Sequence, residues 1–458
     1  MKPRICILSF LFLFASFNFS FAQKVSQDGN IGAEATSFSH PSWIEQSNIY
    51  EVNVRQYSKE GTFKAFEKSL PRLRKMGVQI LWFMPINPIG LKGRKMTESD
   101  LGSYYSVKSY YEVNPEFGTM ADWKELVKHA HTLGFKVIID WVPNHTSPDN
   151  PWMTTHPDFY KHDKNGNTVY DADYTDTRNL DYSNQELRDT MINAMKFWIT
   201  KTGIDGFRCD HVDPTPVDFW KDCITQLHKI KNVFMLAESE KPEFHYAGFD
   251  ATYAWNMMWT TVDLAQGKIP LQHLDSVLNN NFETFPKNAC RMYFTTNHDE
   301  NSWNGTEFEK YGDAYKAFAV FSQTMYESIP LVYSGQEEPN KKRLKFFTRD
   351  PINWGKYEMA PFYSTLLHLR SKDPALSADA NYKRIPTAND EAIFAYTRTK
   401  GAHKIFVVLN LSDQPQSFTI KEKAIYGYPL NVFVNRKIHL FKDHVYSMKP
   451  WGYLVYEY

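Results

Sequence analysis

Between about residue 49 and residue 373 the sequence alternates between two patterns: a short apolar run, then a longer stretch with apolar residues at helical spacing. Ile49 to Tyr57 alternates apolar and polar side chains, as a strand does, and Thr62 to Lys75 then places Phe63, Phe66, Leu70 and Leu73 on one helical face. Gly77 ends that helix, and Val78 to Ile86 follows as a continuous apolar run, the mark of a strand covered on both faces. Thr119 and Asp122 form a capping signal ahead of Trp123, Leu126, Val127 and Ala130, and Gly134 leads into Phe135 to Val142. Further runs at Ile204–Asp210, Val233–Ala237, Gly248–Ala254, Arg291–Thr296 and Ile329–Tyr333 bring the strands to eight. Repeated βα units dictate a parallel sheet. Eight of them over roughly 330 residues predict an α/β fold closed into a (β/α)8 TIM barrel. A doubly wound open sheet is the alternative, but no Gly-rich phosphate turn follows the first strand.

Two segments depart from the rhythm. Residues 146–183 are rich in Asp, Asn, Pro, Thr and Tyr and too long for an ordinary βα loop, so they read as an insertion after the third strand, over the mouth of the barrel. From residue 376 to 458 short strand patterns replace the helical ones: Ala392–Thr397, Lys404–Leu411, Gln416–Ile420, Leu430–Val434 and Gly452–Tyr458. They predict a C-terminal antiparallel β-sandwich domain. At the other end, Lys2 and Arg4 precede an uncharged, mostly apolar stretch, and Ser20-Phe21-Ala22 offers small residues for cleavage. Residues 1–22 therefore read as a secretory signal peptide, residues 23–375 as the catalytic barrel, and the mature protein as exported, periplasmic or extracellular. No later run is long and apolar enough for a membrane span.

Lys and Arg number 52, as do Asp and Glu, and this balance excludes the basic excess of a nucleic-acid binder. Aromatic residues reach 16%, which suits a large core or a site that stacks on sugar faces. Cys209, Cys223 and Cys290 remain after the leader; their number and spacing form neither a disulfide framework nor a zinc site.

The chemistry falls at the ends of four strands: Asp140-Trp-Val-Pro-Asn144-His145, Arg208-Cys-Asp210-His211, Ala237-Glu238, and Asn297-His298-Asp299. In a barrel each polar group would stand at one mouth. Three carboxylates held close cannot share an ordinary pKa. Arg208, two residues before Asp210 on the same strand face, keeps Asp210 ionised as a nucleophile and leaves Glu238 as the acid/base. Metal binding competes for the same acids and histidines, but no His-x-x-x-His or Glu-x-x-His pair accompanies them.

In this order the four segments resemble the signature regions of the α-amylase family, glycoside hydrolase family thirteen. Gly102-Ser-Tyr104, Val113-Asn-Pro-Glu-Phe-Gly118-Thr119, Leu180-Asp181-Tyr182 and Ile329 to Glu337 resemble further stretches of it. The resemblance implies a retaining hydrolase of α-1,4 bonds in starch-derived α-glucans, working through a covalent glycosyl-enzyme. Asp210 would be the nucleophile, Glu238 the acid/base and Asp299 the transition-state stabiliser. Arg208 would orient Asp210, His145 and His298 would bond sugar hydroxyls, Tyr104 would stack under the sugar, and Asp140 would support Arg208. No cofactor is required; a calcium ion is possible, with Asn144 as its ligand. Asp213 and Pro214 stand where typical α-amylases carry Lys-His, which puts the leaving-side contacts and part of the calcium site in question. An exo-acting or α-1,6-specific α-glucosidase, an α-glucan transglycosylase and a non-catalytic glucan-binding protein are the other readings. Trp152, Phe159, Tyr160, Tyr170 and Tyr174 of the insertion, and Trp255, Trp259 and Trp303, are candidate sugar contacts.

Overall fold

The computed structural model describes residues 40–95, 100–287 and 289–458; the leader read at residues 1–22 lies outside them. Eight parallel strands form the barrel: β1 (Ile49–Val52), β2 (Ile80–Phe83), β3 (Lys136–Trp141), β4 (Gly206–Cys209), β5 (Phe234–Ala237), β6 (Ala251–Tyr253), β7 (Cys290–Met292) and β8 (Leu331–Tyr333). Their order is β8-β1-β2-β3-β4-β5-β6-β7. Ile329 N donates to Arg291 O and Leu331 N to Tyr293 O, both at 2.9 Å, so the last strand meets the seventh and the ring closes. The strands coincide with the segments read from the sequence, β7 starting one residue ahead of its run, and each is buried on both faces between the barrel interior and the helices outside.

The local signals work as their chemistry dictates. Thr119 and Asp122 make a reciprocal capping box at the start of the helix Met120–Thr132. Trp123 on that helix packs against Phe63 and Phe83, joining two helices to β2. Asn184 caps Gln185–Thr202, and Gly203 ends that helix in the left-handed region at φ 77°.

Three βα connections are long, not one. Besides the insertion, residues 84–119 after β2 and 334–359 after β8 carry little regular structure. The insertion is held by a two-residue ladder between His145–Thr146 and Arg178–Asn179. All three connections leave the C-terminal ends of their strands and together build the rim of the mouth.

Beyond the helix Ala360–Lys372 the chain becomes antiparallel. Strands β9 (Asn381–Arg384), β10 (Ile393–Lys400), β11 (His403–Asn410), β12 (Gln416–Phe418), β13 (Leu430–Asn431), β14 (Arg436–Lys437), β15 (Tyr446–Met448) and β16 (Tyr453–Glu457) make a six-stranded sheet, β9-β10-β11-β16-β13-β14, and the pair β12-β15. The period of two divides the central strands between two cores. Phe394, Tyr396, Ile405 and Val407 face the barrel, while Ile393, Ala395, Phe406 and Val408 face β12 and β15. Arg398, fully buried, donates to the carbonyls of Thr324, Met325, Ser377 and Ala380, and so locks the sheet to the barrel.

Gly206 opens β4, the strand that carries Arg208. A Cβ there would stand 2.0 Å from Phe234 O of the neighbouring strand, so no other residue fits without moving the sheet. Gly206→Ala should destabilise the fold by about 3 kcal/mol or more in denaturant titration. Gly203→Ala, where only the backbone conformation is unfavourable, should cost about 1 kcal/mol. Equal losses in the two variants would refute the close-approach argument.

Candidate active site

Arg208 lies at the centre of the barrel mouth with no exposed surface. The parallel register sets Asp140 of β3 directly beside it, and both side chains point inward. Its Nη1 donates to Asp140 Oδ1 at 3.0 Å and to Asp210 Oδ1 at 2.8 Å. Its Nη2 lies 2.9 Å from Glu238 Oε1, off the N–H line, so that contact is coulombic rather than an aligned hydrogen bond. Its Nε donates to the Tyr253 hydroxyl at 2.9 Å. One guanidinium thus touches three carboxylates from three strand ends.

Backbone pairing runs past the strands to place the other two. Asp210 N donates to Trp141 O at 2.8 Å and Glu238 N to Cys209 O at 2.9 Å, which keeps both acids in register just beyond β4 and β5. His211 then turns at φ 40°, a conformation costly for a residue with a Cβ, and its N–H donates to Glu238 Oε2 at 2.8 Å. Asp299 follows β7, and its Oδ2 lies 3.1 Å from His298 Nε2.

These surroundings separate the acids electrically. Burial pushes the Glu238 carboxyl up, Asp210 and Asp299 add to the shift, Arg208 opposes it, and the result is about 7. Burial acts on Asp299 in the same direction, but the His298 ring beside it prevails and holds Asp299 below the usual carboxylate range. Burial also works against a charge on His298, yet Asp299 and Glu51 outweigh it and raise the ring well above its ordinary value. His145, buried and near His211, falls to about 4 and is neutral. The site therefore holds in Glu238 a carboxyl that keeps part of its protons at neutral pH, beside Asp299, which is held ionised, a separation that acid/base chemistry needs.

The structure corrects one placement. Tyr104 is not in the mouth: its ring lies over the Arg55 guanidinium at 4.1 Å and its hydroxyl donates to Asn53 Oδ1. Tyr105, half-buried, takes the position at the mouth. Its ring stacks beside His298, its hydroxyl lies 2.7 Å from His298 Nε2, and it reaches Asp140 Oδ2 at 3.3 Å. Ser103 Oγ accepts from Tyr105 N, so the chain turns there and the two adjacent tyrosines face opposite ways. Sequence reading missed Arg55 as well. Its guanidinium donates to Gly102 O and Phe346 O, tying the connection after β2 to the one after β8. Phe346 in turn stacks on Tyr105 and packs against Trp303.

The remaining candidates divide. His145 lies at the site's edge with Nε2 3.2 Å from Tyr105 O. Phe159 and Tyr160 are buried under the insertion, Trp152 packs on Tyr110 and Phe159, and Trp255 packs on Tyr253 and Phe294. Tyr170, Tyr174, Trp259 and Trp303 are exposed. Asp213, in the position that departs from the resemblance, accepts from Ser239 Oγ and pairs with Lys241 Nζ at 3.1 Å, directly beyond Glu238.

Around Asn144, the amide nitrogens Asn144 Nδ2 and Asn179 Nδ2 both donate to Asp171, at 3.1 and 2.8 Å. Among the described residues no group of three His, Cys, Asp or Glu side chains could hold a metal.

A closed barrel with three carboxyls, one of them raised to about 7, and a shared arginine at its mouth is the architecture of a glycoside hydrolase. The family model for the α-amylase catalytic domain matches residues 17–175 and 161–375, and the chain belongs to that family. It is similar in structure to a maltogenic α-amylase of Thermotoga neapolitana, with TM-score 0.82, 30% identity, and coverage of 90% of this chain and 99% of that one. In sequence it is 26% identical over 398 residues to an α-amylase of Haloarcula japonica, covering 82% of this chain and 57% of that protein. It is also 26% identical over 440 residues to an α-1,4-glucan:maltose-1-phosphate maltosyltransferase of Bifidobacterium longum, covering 86% of this chain and 58% of that one.

Activity that requires protonated Glu238 should fall as pH rises through about 7. Glu238→Gln should remove this alkaline limb together with most of the rate on unactivated glucans, read as kcat/KM against pH; a wild-type limb above pH 9 would contradict the assignment. Excess chelator should leave the melting temperature within about 1 °C of the untreated protein, whereas a loss of several degrees would show an ion that stabilises the fold.

Proposed function

We propose that the protein is a retaining α-glucan hydrolase, α-amylase-like, cutting α-1,4 bonds in starch-derived glucans. The observation that carries this reading is the single guanidinium shared by Asp210 and Glu238. It brings both carboxyls against one cation, an arrangement compatible with the close pair, roughly 5 Å apart, of retaining enzymes.

Asp210, held by Arg208, attacks the anomeric carbon while Glu238 gives its proton to the departing oxygen. Glu238, now ionised, then takes a proton from the water that releases the sugar from Asp210. Asp299 and the His298 ring bond the hydroxyls of the sugar in the site, Tyr105 supports its face, and Asp140 holds Arg208 in place. Residues 2–22 support export, and among the described residues no helix is long and apolar enough to cross a membrane.

Transfer to a sugar acceptor is the second reading. It is favoured by the similarity to a maltosyltransferase and by the Asp213–Ser239–Lys241 cluster on the leaving-group side, where the family pattern is altered.

Proton NMR of the protein acting on maltoheptaose tests both. The α-anomer should appear first, and Asp210→Asn should lower turnover by about 10^4-fold or more with little change in melting temperature. Products longer than the substrate would establish transfer. Absence of cleavage would overturn the α-1,4 assignment and direct attention to α-1,6 glucans.

A further inference from the structure

Glu51 lies on β1, flanked in register by Trp82 of β2 and Tyr333 of β8, and is wholly buried. Its hydrogen-bond partner is His298. Glu51 Oε1 stands 2.5 Å from His298 Nδ1 and 3.4 Å from the backbone N of the same residue. Glu51 Oε2 is buried without a hydrogen-bond partner among the described residues.

As a contribution to folding this is a poor arrangement. A buried carboxylate with one oxygen unpaired costs free energy that an amide or an apolar side chain of similar size would not. An unsatisfied buried group calls for another explanation. Here the charge acts on the ring. His298 lies between two carboxylates, Glu51 at Nδ1 and Asp299 at Nε2. An ionised carboxylate only accepts, so Glu51 calls for a proton on Nδ1; at Nε2 the ring meets Asp299 Oδ2 at 3.1 Å and the Tyr105 hydroxyl at 2.7 Å, and a proton there serves both.

The groups facing this ring come from every side of the mouth. Asp140 of β3 and Arg208 of β4 act on it or on Glu51 through space. Tyr105 lies 2.7 Å from Nε2, Trp82 packs edge-on, and the Tyr333 hydroxyl senses Glu51. Arg208 is the nearby permanent cation, and it is already divided among Asp140, Asp210 and Glu238. Glu51 thus supplies what Arg208 cannot: a reason for His298 to be a second cation beside Asp299.

We propose that Glu51 is a positioning residue for the reaction: by accepting the Nδ1 proton of His298 it fixes the ring and keeps an N–H on Nε2, directed to the Tyr105 hydroxyl with Asp299 and the sugar hydroxyls beside it. This rests on the glycoside hydrolase reading of the site and adds a residue from the first strand to its machinery.

Nitrogen-15 NMR of the histidine rings of the full chain tests it, with His298→Gln used to assign the signal. In the wild type both nitrogens of His298 should be protonated at pH 7, with a strongly downfield Nδ1 proton. In Glu51→Gln that proton should move upfield and the ring should titrate within the neutral range. On maltoheptaose, kcat should drop by about 10-fold to 100-fold with KM nearly unchanged. A singly protonated ring in the wild type would overturn the proposal, and so would ring signals unaltered in Glu51→Gln, whatever happened to the rate. If Glu51→Gln does not fold, the wild-type spectrum alone decides. Should the wild type cleave no glucan, the proposed substrate falls while the spectrum still judges the Glu51–His298 contact.

Discussion

The active site depends on the burial of one arginine among acids. Arg208 has no access to water, and a lone guanidinium there would be prohibitively costly. Its partners must therefore be ionised or strongly polar, and the barrel supplies Asp140, Asp210, Glu238 and Tyr253 around it. The same burial makes the acids compete for a single cation. Asp210 receives an aligned hydrogen bond, whereas Glu238 receives only an off-line contact and a backbone N–H, and rises towards neutrality. Burial drives Glu238 up, and the off-line approach of the guanidinium leaves that rise only partly opposed.

A second cation completes the arrangement. The His298 ring, between Glu51 and Asp299, keeps Asp299 low against the burial that would raise it. One acid is thus lowered and the other raised because Asp299 faces a ring held by a further carboxylate, whereas Glu238 is buried and shares its arginine.

Much of this is legible in the sequence, for a definite reason. Strand positions follow from hydrophobic patterning, and in a parallel barrel the residue after an apolar run stands at the mouth; that is why Asp210, Glu238 and Asp299 converge in space. The loops carry no such period. Tyr104 and Tyr105 are neighbours in sequence, and only the turn at Ser103 decides which of them faces the cleft. Arg55 and Phe346 meet across the rim with nothing in either segment to announce it. Strands β14 and β15, two and three residues long, are too short for alternation to be visible. Glu51 was hidden differently: it interrupts an apolar strand as a polar residue on an amphipathic one does, and only the closed ring turns it towards His298.

The Arg55–Phe346 bond joins residues 291 positions apart, and the contact between β1 and β8 is of similar span. Closing loops of that size is entropically costly and slow, so these contacts belong to the late stages of folding. All the catalytic carboxylates lie earlier in the chain than the segment that steadies the cleft. A nascent chain ending before residue 346 would contain every acid of the site and still lack the support that presses Tyr105 against His298. The order of the chain thus delays a finished cleft until the barrel itself is finished.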